Sequence, residues 1–454
     1  MQPELQTPRR TFSIYDSIAI VVGIVIGAGI FKFPTLIAMN VSSGWMLAAV
    51  WLAGGLVSFV GVLCYAELAT AYPDAGGDYH FLAKGLGAKI AFVFAWTRMM
   101  VIQPGSIVMM AYIIGGELTR FFSLGAHSDA LWAALIVAGL TGLNLAGVKG
   151  SNSAQKALTV AILAGLLLVF VLGALVAEPS AVVATPAAAA GGGQSAAGGG
   201  QSAAGFGMAM VFVLLTFGGW NEAAYISSEI RNPERNIVRA LLAGIAVVTV
   251  VYLLVNFALF RALGLSGMRS FDAYHAVVDG TLGSGFGKLI AVLIIVAALS
   301  TANVTVITGA RSNFAFGRDF RLLGFLGHWN EQRGTPTAAL LFQAFVAFAL
   351  ILLGVYTKKG LEAMVDYTSP AFWGFFLLTG VSLFVLRLRD RDRPRPFRVP
   401  LYPLTPLLFV LFCAYMLRSS LLYTGRGAWV SVAVMATGAL ALAADQFLAR
   451  RRPS

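Results

Sequence analysis

Twelve runs of about 20 largely apolar residues recur along this chain, each long enough to cross ~30 Å of hydrocarbon. They fall near 14–38, 45–67, 90–117, 130–147, 156–177, 206–228, 239–260, 286–309, 337–354, 364–386, 403–420 and 428–448. Backbone that faces lipid must satisfy its own hydrogen bonds, so runs of this length restrict the chain to a bundle of spanning helices. The expectation is an all-α membrane protein with 12 transmembrane helices. Charge agrees: Asp, Glu, Lys and Arg make up 11% of 454 residues, against about 25% in soluble proteins. So few charges cannot cover a water-facing surface. Soluble enzymes, nucleic-acid binders and disordered chains are thereby excluded.

The net charge of +12 reads as topology. An even number of spans puts both termini on one side. Placing them in the cytoplasm gathers Arg9, Arg10, Lys84, Lys89, Lys149 and the arginines from Arg387 to Arg398 inside, together with Arg450, Arg451 and Arg452. The outer side keeps a smaller set that includes Arg120, Arg261, Arg269 and Lys288. That asymmetry is what insertion and anionic lipid select. The expected location is the plasma (inner) membrane, multi-pass, with cytoplasmic termini. The arginine pair at the start mimics an export signal, but the run after it is too long for one and eleven more follow.

Cys64 and Cys413 both lie within apolar runs, and the four His are scattered, so neither a disulfide framework nor a metal site is expected. The segment at 191–204 repeats GGGQSAA directly. It reads as flexible coil and not as a phosphate loop, because GxxxxGK[ST] is missing. Catalytic residues are not expected.

The low-complexity stretch divides the spans. Five precede it and seven follow, and the Pro/Arg-rich 387–402 segment separates the last two. The expected organisation is a cytosolic N-terminus (1–13), a first five-helix repeat (14–177), a flexible Ala/Gly/Ser-rich outer loop (178–205) and a second five-helix repeat (206–386). A cytosolic loop (387–402), helices eleven and twelve (403–448) and a basic tail (449–454) complete it. An odd block size forces the second block to insert upside down, the 5+5 inverted-repeat plan of many secondary transporters.

The first span of each block breaks at its middle. Gly23-Ile24-Val25-Ile26-Gly27-Ala28-Gly29 places three glycines in seven residues, and Phe217-Gly218-Gly219-Trp220 repeats the pattern. Glycine costs a helix about 1 kcal/mol relative to Ala. Unwound backbone in a membrane is tolerable only where it lines a protein cavity. There, free amides at the start of a half-helix bind an anion and free carbonyls bind a cation. Gly23 and Gly27 also form a GxxxG pair that simple helix packing would explain. Two breaks at corresponding positions favour a site between the halves.

At these residues the chain resembles the amino acid–polyamine–organocation superfamily. The matching stretches are GIVIGAGIFKFP (23–34), YAELATAYPDAGGDYHFLAKGLG (65–87), FGGWNEAAYISSEIRNPERNIVRAL (217–241), TGARSNFAFGRD (308–319) and RPFRVPLYPLTPLLF (395–409). The nearest look is to its L-amino-acid transporter and bacterial permease branches. The resemblance implies a leucine-transporter-like fold with broken helices one and six, alternating access, and an L-amino acid or amine substrate.

Carried over by position, the amides of Ala28, Gly29 and Ile30 would receive the substrate carboxylate. Carbonyls around Ile26, Gly27 and Phe217 would receive its ammonium. Gly218 and Gly219 form the second break, and Phe217 and Trp220 are aromatic candidates for the pocket and its closure. Gly23, Ile26, Ser300 and Thr301 align with a sodium site, so Na+ and H+ are the candidate coupling ions.

Three positions depart from the family. Leu215 stands where many relatives have a gating aromatic, and Ile162 stands where many have a lysine. The outward-loop cysteine that links a heavy chain is absent, so no disulfide-bonded partner is expected. Charges inside spans are expensive. Glu222 is a candidate proton carrier, and Lys32 and Asp366 are candidate gate partners. Arg98 is expected to reach the inner interface. The expected function is secondary transport of an L-amino acid, neutral in preference to cationic, by exchange or cation coupling. Alternatives are a polyamine or cationic amino acid carrier of the same fold, or an amino acid sensor that does not transport. A membrane-embedded enzyme would need an acid or histidine cluster inside the spans.

Overall fold

The computed structural model describes residues 14–73, 76–147, 152–175, 203–221, 233–269, 273–283, 285–357, 360–423 and 426–450. The expected N-terminal segment 1–13, nearly all of the 178–205 loop, Glu222 and the end of the basic tail lie outside the described residues.

The described chain is helical. In order come α1 (Ile14–Val25), α2 (Gly29–Met39), α3 (Gly44–Ala71), α4 (Asp78–Leu86), α5 (Ala88–Thr97), α6 (Gln103–Phe121), α7 (Ser128–Leu145) and α8 (Asn152–Leu175). Then follow α9 (Ala203–Thr216), α10 (Pro233–Met268), α11 (Ala273–Leu282), α12 (Gly287–Asp319), α13 (Thr337–Thr357), α14 (Gly360–Arg389), α15 (Leu404–Tyr423) and α16 (Arg426–Arg450). Among the described residues, nine helical segments are long and apolar enough to cross a membrane, and the bent pair α1–α2 makes a tenth. Thr159–Leu175 and Gly205–Thr216 are shorter apolar helices. Large apolar side chains such as Trp45, Phe345, Leu352 and Leu440 point outward, as a lipid-facing surface requires.

Prolines free carbonyls inside this bundle, and tyrosines from other helices take them up. Pro34 lies inside α2 and has no N–H for the Ile30 carbonyl. The Tyr274 hydroxyl of α11 donates to that carbonyl instead, at 2.7 Å. Likewise Pro104 opens α6, and the Met100 carbonyl four residues earlier accepts from the Tyr367 hydroxyl of α14 at 3.1 Å. Met100 sits in a π-helical turn, Arg98–Ile102, that joins α5 to α6.

Arg98 corrects the sequence reading. Rather than reaching the inner interface, it is buried, and its Nε donates to Ser312 Oγ of α12 at 3.4 Å. Its position in the π-helical turn before α6 sets it against α12 inside the bundle.

Candidate functional site

The first break is where the glycines place it. α1 ends at Val25, α2 starts at Gly29, and their axes are bent by 46°. Local bonds close part of the gap: Gly27 N–H donates to the Val25 carbonyl at 2.9 Å, and Phe31 N–H to the Ala28 carbonyl at 3.1 Å. Among the described residues, the amides of Ala28, Gly29 and Ile30 have no backbone carbonyl partner. All three residues are buried. They form the positive end of α2, while the carbonyl end of α1 faces them across the gap.

The second break follows α9. Phe217 N–H donates to Val213 at 3.0 Å and Gly218 N–H to Leu215 at 3.1 Å, and Gly219 then takes φ +100°. A β-carbon at Gly219 would lie 3.0 Å from Ile24 Cγ2 and 3.1 Å from the Ile24 carbonyl. Glycine is needed here twice over, for the left-handed conformation and for the close approach. That approach brings the two breaks together. A β-carbon on Gly29 would similarly lie 3.6 Å from Thr216 Cα. The Tyr252 hydroxyl of α10 sits 3.1 Å from both the Val25 and the Thr216 carbonyls, the last of each broken helix. With one proton it donates to one of them at a time. One α-helix thus pins the carbonyl ends of two others.

The aromatic candidates occupy different places. Phe217 is fully buried, with its ring 5.0 Å from Tyr252 and 6.1 Å from Trp51, so its backbone and not its ring borders the gap. Trp220 stacks on Phe376 of α14 at 5.5 Å and meets the edge of Tyr65 at 4.9 Å. Beneath it lies the buried carboxylate of Asp78. Tyr65 donates to it, Thr379 Oγ1 donates at 3.2 Å, and Asn221 Nδ2 approaches to 3.4 Å. Trp220 and Asn221 therefore tie the second break to α3, α4 and α14.

The remaining candidates scatter. Gly27 packs on Thr301, whose Oγ1 would lie 3.1 Å from a β-carbon there and which donates to its own helix at Ala297 (3.1 Å). Gly23 packs on Thr159 of α8. Lys32 pairs with Glu117 of α6, whereas Asp366 lies against Gly427 of α16.

Sequence reasoning singled out neither Tyr252 nor Glu117. Tyr252 was visible as the one phenol in the run VVTVVYLLVNF (247–257). Glu117 stands in the sequence as a carboxylate at the very end of the third run.

Residues 12–443 match the family model described as amino acid permease. The chain belongs to the amino acid permease family. This permease is 27% identical over 426 residues to the b(0,+)-type amino acid transporter 1 of Rattus norvegicus, covering 93% of this chain and 84% of the relative. It is 28% identical over 437 residues to the large neutral amino acids transporter small subunit 2 of Oryctolagus cuniculus, covering 95% and 79%. It is 26% identical over 435 residues to the serine/threonine exchanger SteT of Bacillus subtilis (strain 168), covering 95% of each. The permease is accordingly a multi-pass membrane transporter and not an enzyme.

Proposed function

We propose that this permease carries a neutral L-amino acid by alternating access, with exchange as its mode. The chain is read as twelve spans in two inverted blocks, 14–177 and 206–386, plus an appended pair. Both termini are placed in the cytoplasm of a plasma (inner) membrane. The spans that carry the breaks, with α3 and α10, rock against the rest.

One observation carries this reading: the free amides of α2 lie beside the carbonyl ends of α1 and α9. Ala28, Gly29 and Ile30 would hold a carboxylate. Carbonyls near Ile26, Gly27 and Phe217 would hold an ammonium a few ångströms away, and Gly218 and Gly219 let the second break come close enough. A zwitterion fits both poles, and a polyamine fills only one.

Neutral side chains are favoured because the buried carboxylates nearby are already engaged. Asp78 accepts from neighbouring side chains, and Glu117 is paired with Lys32. Neither offers a free charge to a cationic side chain. Exchange is favoured because one relative is named an exchanger. Cys64 and Cys413 are both buried, which supports a carrier that works without a disulfide-linked partner. A second reading, coupling to sodium in place of exchange, has its support in Thr301 beside the first break. Its proton is spent on Ala297, which leaves lone pairs for a cation. Glu222 remains the candidate for proton coupling. No cofactor is required.

Counterflow tests the reading. Proteoliposomes loaded with an unlabelled neutral L-amino acid are expected to take up the labelled one, with or without a sodium gradient. Binding without flux would make the protein a sensor, and uptake driven only by polyamines would move it to the other branch.

A further inference from the structure

Glu117 is the most deeply buried carboxylate toward the outer side of the proposed topology, with no exposed surface. Three basic groups from three elements surround it. Lys32 comes from α2, His275 Nε2 of α11 lies 3.3 Å away, and Arg120 Nε, one turn along α6, lies 3.4 Å away. The pairing is uneven in mobility. α6 packs against α7, α12 and α14, inside the part of the bundle proposed to stay still. Lys32 belongs to α2, one turn beyond the free amide of Gly29. The charge that meets Glu117 therefore travels with the half-helix that grips the substrate.

The surroundings fasten the same half-helix twice more. Tyr274, the neighbour of His275, donates to the Ile30 carbonyl that Pro34 leaves open. Arg269 donates to the Ala38 and Val41 carbonyls at 3.2 and 3.1 Å, at the far end of α2. These contacts fasten α2 and the residues after it to α6, to α11 and to Arg269 just beyond the end of α10.

We propose that Lys32 and Glu117 are the outer latch of the transport cycle, an ion pair made when α2 closes on α6 and broken when the outer face opens. The physics suits a latch. The attraction between the two charges grows as water leaves and fades as water enters, and the cost of desolvating them keeps the closed pair readily reopened. Glu117 is a positioning residue in this scheme, acting on the substrate through Lys32 and α2. The proposal rests on the alternating-access reading, and the experiment separates the two.

In a Cys64→Ala/Cys413→Ala parent, cysteines are introduced as Lys32→Cys and Glu117→Cys and bridged during counterflow with a bifunctional methanethiosulfonate reagent long enough to replace the two lost side chains. The expected result is a cross-link that stops exchange and a reductant that restores it. Failure of the cross-link to form, or exchange that continues once it has formed, overturns the latch. Absence of counterflow in the unmodified protein overturns the transport reading instead.

A second measurement does not depend on flux. Hydrogen exchange of residues 29–39 is expected to rise at least roughly tenfold in Glu117→Gln, since local opening sets the rate. Unchanged exchange in α2 would equally overturn the proposal.

Discussion

Replacing Gly29 with valine is expected to abolish counterflow while the protein still folds and inserts. Gly29 opens α2 and carries one of the three free amides. A β-carbon there would already lie 3.2 Å from two ring carbons of Phe33, and the Thr216 backbone begins 3.6 Å away. The two further methyls of valine would fill the gap between the breaks, where the carboxylate is proposed to sit. A hydrogen bond to a charged group contributes about 1.5–3 kcal/mol, so losing even one such bond costs roughly 10–150-fold in transport. Folding is spared because Gly29 does not need a positive φ; among glycines at the breaks only Gly219 does. Alanine at 29 adds the β-carbon alone and should leave partial activity. Counterflow alongside size-exclusion chromatography checks both halves of this expectation. A valine variant with normal exchange would remove Gly29 from the site.

Glu67→Ala is expected to produce the largest loss of stability. Glu67 ends the second run and is almost wholly buried. It accepts from Arg387 Nε and from the Val399 amide, both at 2.7 Å, with Arg395 Nε at 3.4 Å. Those partners lie at the end of α14 and in the loop beyond, so one carboxylate fastens α3 to both. Removing it leaves two guanidiniums facing each other without their counter-ion. Breaking a buried ion pair in this one-sided way costs about 3–5 kcal/mol. Glu67→Gln keeps the shape and should fall between the variants. Asp390 gives a contrast. Its carboxyl is held below the usual carboxylate range chiefly by the Tyr72 hydroxyl, and it lies at the surface, partly exposed. Asp390→Ala should hardly move the unfolding temperature. Tryptophan-fluorescence melts in detergent would rank the three.

What the sequence made legible was local. Paired glycines at 27, 29, 218 and 219 marked the breaks because helix propensity and the cost of exposed backbone act within a few residues. The long apolar runs marked the spans for the same reason. What it hid was which side chains meet across helices. Lys32 and Asp366 both stand toward the outer side by residue count, and only the rotation of α2 decides that Lys32 faces Glu117. Tyr252 looked like one more aromatic in an apolar helix until the carbonyls of Val25 and Thr216 were found on either side of its hydroxyl. Gly23 and Gly27 carried both readings, and the packing one is on display. They pack on Thr159 and Thr301, and Gly27 lies in the gap as well.

The central claim is that two interrupted helices grip opposite ends of one zwitterion. Competition in the counterflow assay tests it most directly, with a transported amino acid set against its methyl ester and its decarboxylated amine. Both analogues keep the ammonium and the side chain; the ester loses the carboxylate charge and the amine loses the whole carboxyl group. The account predicts that neither competes at concentrations where the parent amino acid does. Equal competition by the amine would show that the amides of Ala28, Gly29 and Ile30 hold nothing.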